Sequence, residues 1–209
     1  MIKNNYTGKF IVIEGLDGSG KNVQIDLLID FLNNLPAQAG KRKEVVITKE
    51  PTMESEAGRK IKQALKKEII IEPLEMQKFY VQDRKEHLEN KVIPALKNGN
   101  FVVSSRYAFS TFAYGGSDGL DVDLLIRMNE EFLLPDLTIV IDVNPEPCME
   151  RIERRGEPKE LFEKKEKLAK VNEFYKKFPQ MFKNVIMING ERPIPEVFED
   201  IKKEINKLL

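Results

Sequence analysis

Phe10-Ile-Val-Ile-Glu-Gly15-Leu-Asp-Gly-Ser-Gly20-Lys-Asn22 decides the fold. The apolar, mostly β-branched opening reads as a buried strand. Gly15, Gly18 and Gly20 let the backbone curl so that successive N–H groups face one phosphate. Lys21 adds a positive charge at the start of the next helix, whose positive end points at the same spot. Val23, Ile25, Leu27, Leu28, Phe31 and Leu32 continue at helical spacing. Strand, glycine loop and helix in this order form a P-loop. The pattern implies nucleoside triphosphate binding by Gly15, Leu16, Asp17, Gly18, Ser19, Gly20, Lys21 and Asn22. A Ser or Thr normally follows the lysine and holds Mg²⁺ through its hydroxyl; here that position is Asn22.

Outward from the loop, further short apolar runs rich in β-branched residues read as parallel strands: Val45–Thr48, Phe101–Ser104, Leu137–Asp142 and Val185–Ile188. Helical patterns separate them, near 21–34, 56–67, 73–98, 107–114, 121–133, 145–155, 159–178 and 194–208. The alternation predicts an α/β fold, a doubly wound sheet of about five parallel strands with helices on both faces. Ligands in such sheets lie beyond the carboxyl ends of the strands. Those ends here are Glu14-Gly15, Lys49-Glu50-Pro51, Ser105-Arg106 and Asp142, which gather acid, base and glycine at one edge.

The 209 residues suit a single domain, 1–209. Lys+Arg and Asp+Glu are both 34, so the basic excess usual in nucleic-acid binders is missing. The single cysteine, Cys148, excludes an internal disulfide and reads as a small core residue. Apolar runs are strand-sized and the N-terminal residues carry no apolar signal segment, so the expectation is a cytoplasmic protein with no membrane span.

A second constellation follows the third strand: Ser105-Arg-Tyr-Ala-Phe-Ser-Thr-Phe-Ala-Tyr114, with Gly115-Gly116 behind it as a turn. Arg106 at a strand tip suits a forked contact with a phosphate, and Ser110 and Thr111 offer hydroxyls to a base edge. Tyr80 and Arg84 are four apart on the long helix and share a face. A ring beside an arginine suits a base near its own phosphate; plain core packing of Tyr80 is the competing reading.

Taken together these blocks resemble the thymidylate kinase family, nucleoside-monophosphate kinases that phosphorylate dTMP with ATP. The likeness rests on Phe10 to Lys21 with Gln24, on Thr48-Lys-Glu-Pro51 and on Asp83-Arg84. It continues through Arg106-Tyr107 with Ser110 and Ala113-Tyr114, Pro135-Asp-Leu137 through Ile141-Asp-Val143, and Arg151 to Gly156 followed by Glu160 to Glu163. The resemblance implies that Asp17 meets the sugar 3′-hydroxyl, and Tyr80 supplies the ring that stacks on thymine. Arg84 and Arg106 would hold the monophosphate, and Ser110 and Thr111 would face the base. Tyr114 would crowd the sugar 2′ position, and Glu50, Pro51 and Glu163 would complete the acceptor site. It also implies ATP and Mg²⁺ as cofactors, a homodimer, and a lid near 151–163. The P-loop carries no arginine, so Arg154 and Arg155 of the lid, with Lys159 nearby, would supply the helping charge beside Lys21 and Arg106.

The chain departs from the family at Asn22 and at Ser105, where an acid usually precedes the arginine. These two become the candidate metal contacts, directly or through water. Leu161 stands where a lid arginine is common, and Gly115 where a glutamine often follows the tyrosine. Two other readings stay open at this point. One is a kinase for another deoxynucleotide or deoxynucleoside; the other is a nucleotide-binding regulator weakened in catalysis, for which Asn22 and Ser105 speak. A switch GTPase is disfavoured, because Ile141-Asp-Val-Asn144 replaces the guanine-reading Asn-Lys-x-Asp.

Overall fold

The computed structural model describes residues 1–36, 43–154 and 161–209, with backbone alone for 161–164. Five parallel strands form the main sheet: β2 (Lys9–Gly15), β3 (Val45–Lys49), β4 (Phe101–Ser105), β6 (Leu137–Asp142) and β7 (Val185–Asn189), in the order β3-β4-β2-β6-β7. β2 is central and its apolar residues are fully buried, as expected of a strand covered on both faces. β3 is an edge strand, and Ile47 on it is exposed. A short pair, β1 (Ile2–Lys3) with β5 (Leu133–Leu134), stands apart from the main sheet. Its two-residue strands are too short to leave a period in the sequence.

Helix α1 (Lys21–Asn33) follows the P-loop. α2 (Glu56–Leu65) is capped by Ser55, whose Oγ accepts from Gly58 N at 2.7 Å. α3 (Pro73–His87) opens on Pro73, runs into a π-helical turn over Leu88–Val92 and continues as α4 (Ile93–Lys97). The expected single helix over 73–98 is therefore one rod with a bulge before Pro94. α5 (Ala108–Ser117) is followed by α6 (Val122–Met128), α7 (Pro145–Glu153), α8 (Leu161–Met181) and α9 (Ile194–Asn206).

Three boundaries differ from expectation. Gly115 and Gly116 are helical, not a turn behind the helix. A Cβ on Gly115 would press on Leu125 Cδ1 at 2.6 Å, and one on Gly116 on the Phe174 ring at 2.8 Å. The glycines thus leave room for Leu125 and Phe174 to pack closely on α5. The helix expected over 121–133 stops at Met128, where the Asn129 amide turns back to donate to Leu125 O at 2.8 Å. α8 runs on past 178 with Pro179 inside it.

Phe109 and Phe112 of α5 pack against Phe178 of α8 and against Phe182, with centroids 5.1 to 6.2 Å apart. This aromatic cluster fixes α8 against α5. Cys148 is buried, as the sequence suggests.

Candidate active site

The phosphate loop is shaped by its glycines. Gly18 and Gly20 have φ of 82° and 88°, in the left-handed region. A side chain on Gly18 would collide with the Cys148 carbonyl of α7. Gly20 caps α1 without any side-chain hydrogen bond, so no side chain competes with an incoming anion for the helix's first N–H groups. Lys21 is buried, donates to Leu16 O at 3.2 Å and faces Asp17 Oδ1 at 3.4 Å. Burial pushes its ammonium down to about 8; the Arg106 charge pushes the same way, while Asp17 and Glu14 oppose. Leu16 contributes its carbonyl, since its side chain is in the core.

Arg106 follows directly at the tip of β4, with φ of 71°. Its guanidinium donates to Asp17 Oδ1 at 2.7 Å, to Ser110 Oγ at 2.9 Å and to Tyr114 OH at 3.3 Å, and lies over the Tyr114 ring. Burial acts upward on Asp17, but Arg106 and Lys21 outweigh it and hold the carboxyl at about 2. Beneath them lies Glu14, fully buried at the end of β2. Its Oε1 accepts from Tyr107 N at 2.8 Å and Ser110 N at 3.1 Å; its Oε2 accepts from Ser110 Oγ at 2.6 Å and Tyr175 OH at 2.9 Å. A strand carboxylate thus caps the N-terminus of α5, a helix with no side-chain cap of its own. Burial raises the Glu14 pKa, against the pull of Arg106 and the hydroxyls.

Arg84 belongs to a separate cluster. It is fully buried, and donates to Glu50 Oε2 from Nε at 2.9 Å and from Nη2 at 2.7 Å, to Thr111 Oγ1 at 3.0 Å and to Asn129 Oδ1. Its plane lies over the Tyr107 ring. The other Glu50 oxygen meets His87 Nδ1 at 3.1 Å, and His87 Nε2 meets Thr48 Oγ1 at 2.6 Å. The Arg84 charge is thereby balanced by Glu50, whereas Arg106 sits beside Lys21.

Two cavities meet here. One, of about 400 Å³, lies over Gly18, Gly20, Lys21 and Asn22. The other, of about 350 Å³, is lined by Glu50, Pro51, Gln77, Tyr80, Arg84, Arg106, Ser110 and Thr111 among others. Asp17, Tyr114 and Lys167 border both, and Lys167 pairs with Asp118 at 2.7 Å at the shared mouth. A third cleft beside the loop, about 470 Å³, is lined by both Asn22 and Ser105, with Asp26 and Lys49.

The structure therefore brings together the phosphate loop, Arg106, Tyr80, Arg84, Ser110, Thr111 and Tyr114. Ser110 serves chiefly to join Arg106 to Glu14. Arg154 is exposed and pairs with Glu150 at 3.7 Å. Arg155, Lys159 and Glu160, and the side chain of Glu163, lie outside the described residues. Sequence reasoning passed over Arg151, which donates to Gly18 O at 3.1 Å, and over Gln77, Asn129, His87 and Lys167. Gln77 alone carried a usable signal, since it shares a helix face with Tyr80 and Arg84.

A P-loop and an arginine-lined second cavity, opening on each other beyond the carboxyl ends of a parallel sheet, define a P-loop phosphotransferase with separate donor and acceptor sites. The thymidylate kinase family model matches residues 13–201. The thymidylate kinase of Caldicellulosiruptor saccharolyticus is 36% identical over 212 residues, covering 97% of this chain and 98% of that protein. A Pyrococcus horikoshii protein named "Probable thymidylate kinase" is 35% identical over 199 residues, covering 93% and 94%. The crystal structure of thymidylate kinase from Ehrlichia chaffeensis shares the fold, with a TM-score of 0.72 at 24% identity over 95% of this chain and 98% of that one. The chain belongs to the thymidylate kinase family.

Proposed function

We propose that the chain transfers the γ-phosphoryl group of ATP to the 5′-phosphate of dTMP, giving ADP and dTDP. The observation that carries this is the Lys21–Asp17–Arg106 chain, at 3.4 and 2.7 Å, which spans the boundary between the two cavities. Lys21 meets the β- and γ-phosphates, and Arg106 swings from Asp17 onto the acceptor phosphate. The acceptor oxygen is already anionic, so catalysis is positioning plus neutralisation of charge. Tyr80 stacks on the base, Tyr114 crowds the sugar 2′ position and Asp17 meets its 3′-hydroxyl. Arg84, neutralised by Glu50, sits with Thr111 at the floor of the acceptor cavity, where it suits the neutral base better than the phosphate.

Asn22 and Ser105 line one cleft beside Lys21. Neutral oxygens with room for water fit Mg²⁺, which keeps several waters and takes few protein ligands. The ion, arriving with ATP, would offset phosphate charge. The reading includes a lid over 151–163, a cytoplasmic location and a homodimer. Among the described residues no helix is long and apolar enough to cross a membrane. Leu65, Ile70 and Leu74 are exposed along the α2–α3 edge, apolar area of the kind an assembly covers.

The test is ADP release with ATP and Mg²⁺, offering dTMP, dUMP, dCMP, dGMP, AMP, UMP and thymidine singly. Turnover with dTMP well above the others is expected. Preference for another acceptor, or binding of ATP with no turnover on any, overturns the proposal.

A further inference from the structure

One side chain at the boundary of the two cavities is left unused by the chemistry above. Among the described residues, Lys167 of α8 is the one cation that borders both cavities. Lys21 borders the donor cavity alone, and Arg84 and Arg106 the acceptor cavity alone. Phosphoryl transfer runs from one cavity to the other, so a cation at their boundary is placed to meet the moving group.

The helix beneath Lys167 fixes its place. Leu168 and Val171 are buried, and one turn beyond Val171 the Tyr175 hydroxyl donates to Glu14 Oε2 at 2.9 Å. The Phe174 ring fills the space where a Cβ on Gly116 would lie. Residues 167, 171, 174 and 175 recur at turn spacing, so Lys167 stands two turns before Tyr175 on the face of α8 that packs on α5.

The ammonium, by contrast, is loosely held. Its partner is Asp118 Oδ1 at 2.7 Å, just past the end of α5, and 47% of the Lys167 side chain is exposed. An exposed pair of this kind is weak, and the flexible stem of a lysine lets the charge turn toward a stronger partner. The site also calls for a further cation. The phosphate loop carries no arginine, Asn22 and Ser105 are neutral, and Arg154 pairs with Glu150.

We propose that Lys167 is a further catalytic residue, a third cation that leaves Asp118 for the migrating phosphoryl group. The inference rests on the kinase reading above. The acceptor oxygen bonds to the γ-phosphorus as the bond to the β–γ bridging oxygen breaks. Lys167 donates hydrogen bonds to the oxygens of the moving group and keeps its protons. Asp118 is its resting partner in the nucleotide-free chain and competes with phosphate for it.

The test is steady-state kinetics with ATP and dTMP, with Kd for each nucleotide by calorimetry, on the wild type, Lys167→Met, Lys167→Arg and Asp118→Asn. Lys167→Met should lose about 10- to 100-fold in kcat, with both Kd values within about 3-fold. Lys167→Arg keeps the charge and should recover most of that loss. Asp118→Asn removes only the rival and should gain up to about 5-fold in kcat/KM. A lysine that merely ties α8 to α5 would make Lys167→Met and Asp118→Asn fail alike, since either breaks the tie. Turnover of Lys167→Met within about 3-fold of wild type, a loss confined to Kd, or a comparable loss in Asp118→Asn each overturns the assignment while leaving the kinase reading intact. A wild type with no dTMP turnover removes both.

Discussion

Asp17 and Arg106 are joined by a 2.7 Å ion pair across the boundary of the two cavities. The carboxylate also faces Lys21 at 3.4 Å, so it bridges the two cations. In the nucleotide-free chain it keeps apart two positive charges that otherwise repel.

Arg106 is expected to be the side chain least tolerant of exchange. Its φ of 71° burdens any residue with a Cβ alike, so Arg106→Lys carries no new backbone cost and keeps the charge. It loses the fork that reaches Asp17, Ser110 and Tyr114 together. Turnover should fall by about 10²- to 10³-fold, with thermal unfolding little changed. A variant with near-normal turnover would show that a point charge suffices.

Lys21 should take up a proton when ATP binds. Its pKa near 8 in the free chain leaves it about half neutral at pH 8. The triphosphate favours the charged form, so binding draws a proton from buffer. Calorimetry in buffers of different ionisation enthalpy should report uptake of about half a proton at pH 8 and almost none at pH 6.5. Lys21→Ala should abolish the uptake. Binding with no proton uptake at pH 8 would mean that Lys21 is already charged.

The phosphate loop was legible because its parts are consecutive: strand, glycines, lysine and helix need no distant partner. The same holds for Arg106, Ser110 and Tyr114, which repeat at helical spacing from one strand tip. What stayed hidden depends on pairs far apart in sequence. Glu14 meets Tyr107, Ser110 and Tyr175, which lie 93, 96 and 161 residues away. The counter-charge of Arg84 stayed hidden too, because Glu50 comes from another element 34 residues earlier. Gly115-Gly116 read as a turn on local propensity, yet packing of α5 against Leu125 and Phe174 makes them helical. Here tertiary contact overrides propensity.

Tyr114 should separate deoxy from ribo acceptors. Its ring lies 5.2 Å from the Arg106 guanidinium and is half-buried between the cavities. Tyr114→Phe keeps the ring and loses one long hydrogen bond, so turnover with dTMP should change by less than about 5-fold. Tyr114→Ala opens the wall and frees Arg106, and the preference for dTMP over its ribonucleotide counterpart should fall by about 10-fold or more. Comparison of kcat/KM for the two acceptors reads this directly. An unchanged ratio would place the 2′ contact elsewhere.

Glu14 should govern the stability of the whole acceptor side. Glu14→Ala strands Tyr107 N and Ser110 N at the start of α5 together with the Tyr175 hydroxyl, and is expected to cost about 3 kcal/mol or more. Glu14→Gln keeps one carbonyl for the two amides, and the hydroxyls turn to accept from its NH₂, so about half that loss is expected. The two proteins should also differ in pH response. Burial raises the Glu14 pKa above the unfolded value, so across the interval between the two values the folded wild type holds a proton that the unfolded chain has lost. Its stability relative to Glu14→Gln should therefore be greatest below the usual carboxylate range and decline as pH rises through the raised pKa. Paired urea titrations from pH 4.5 to 8 measure that difference. A gap that widens with pH would mean that the four hydrogen bonds to Glu14 outweigh its burial.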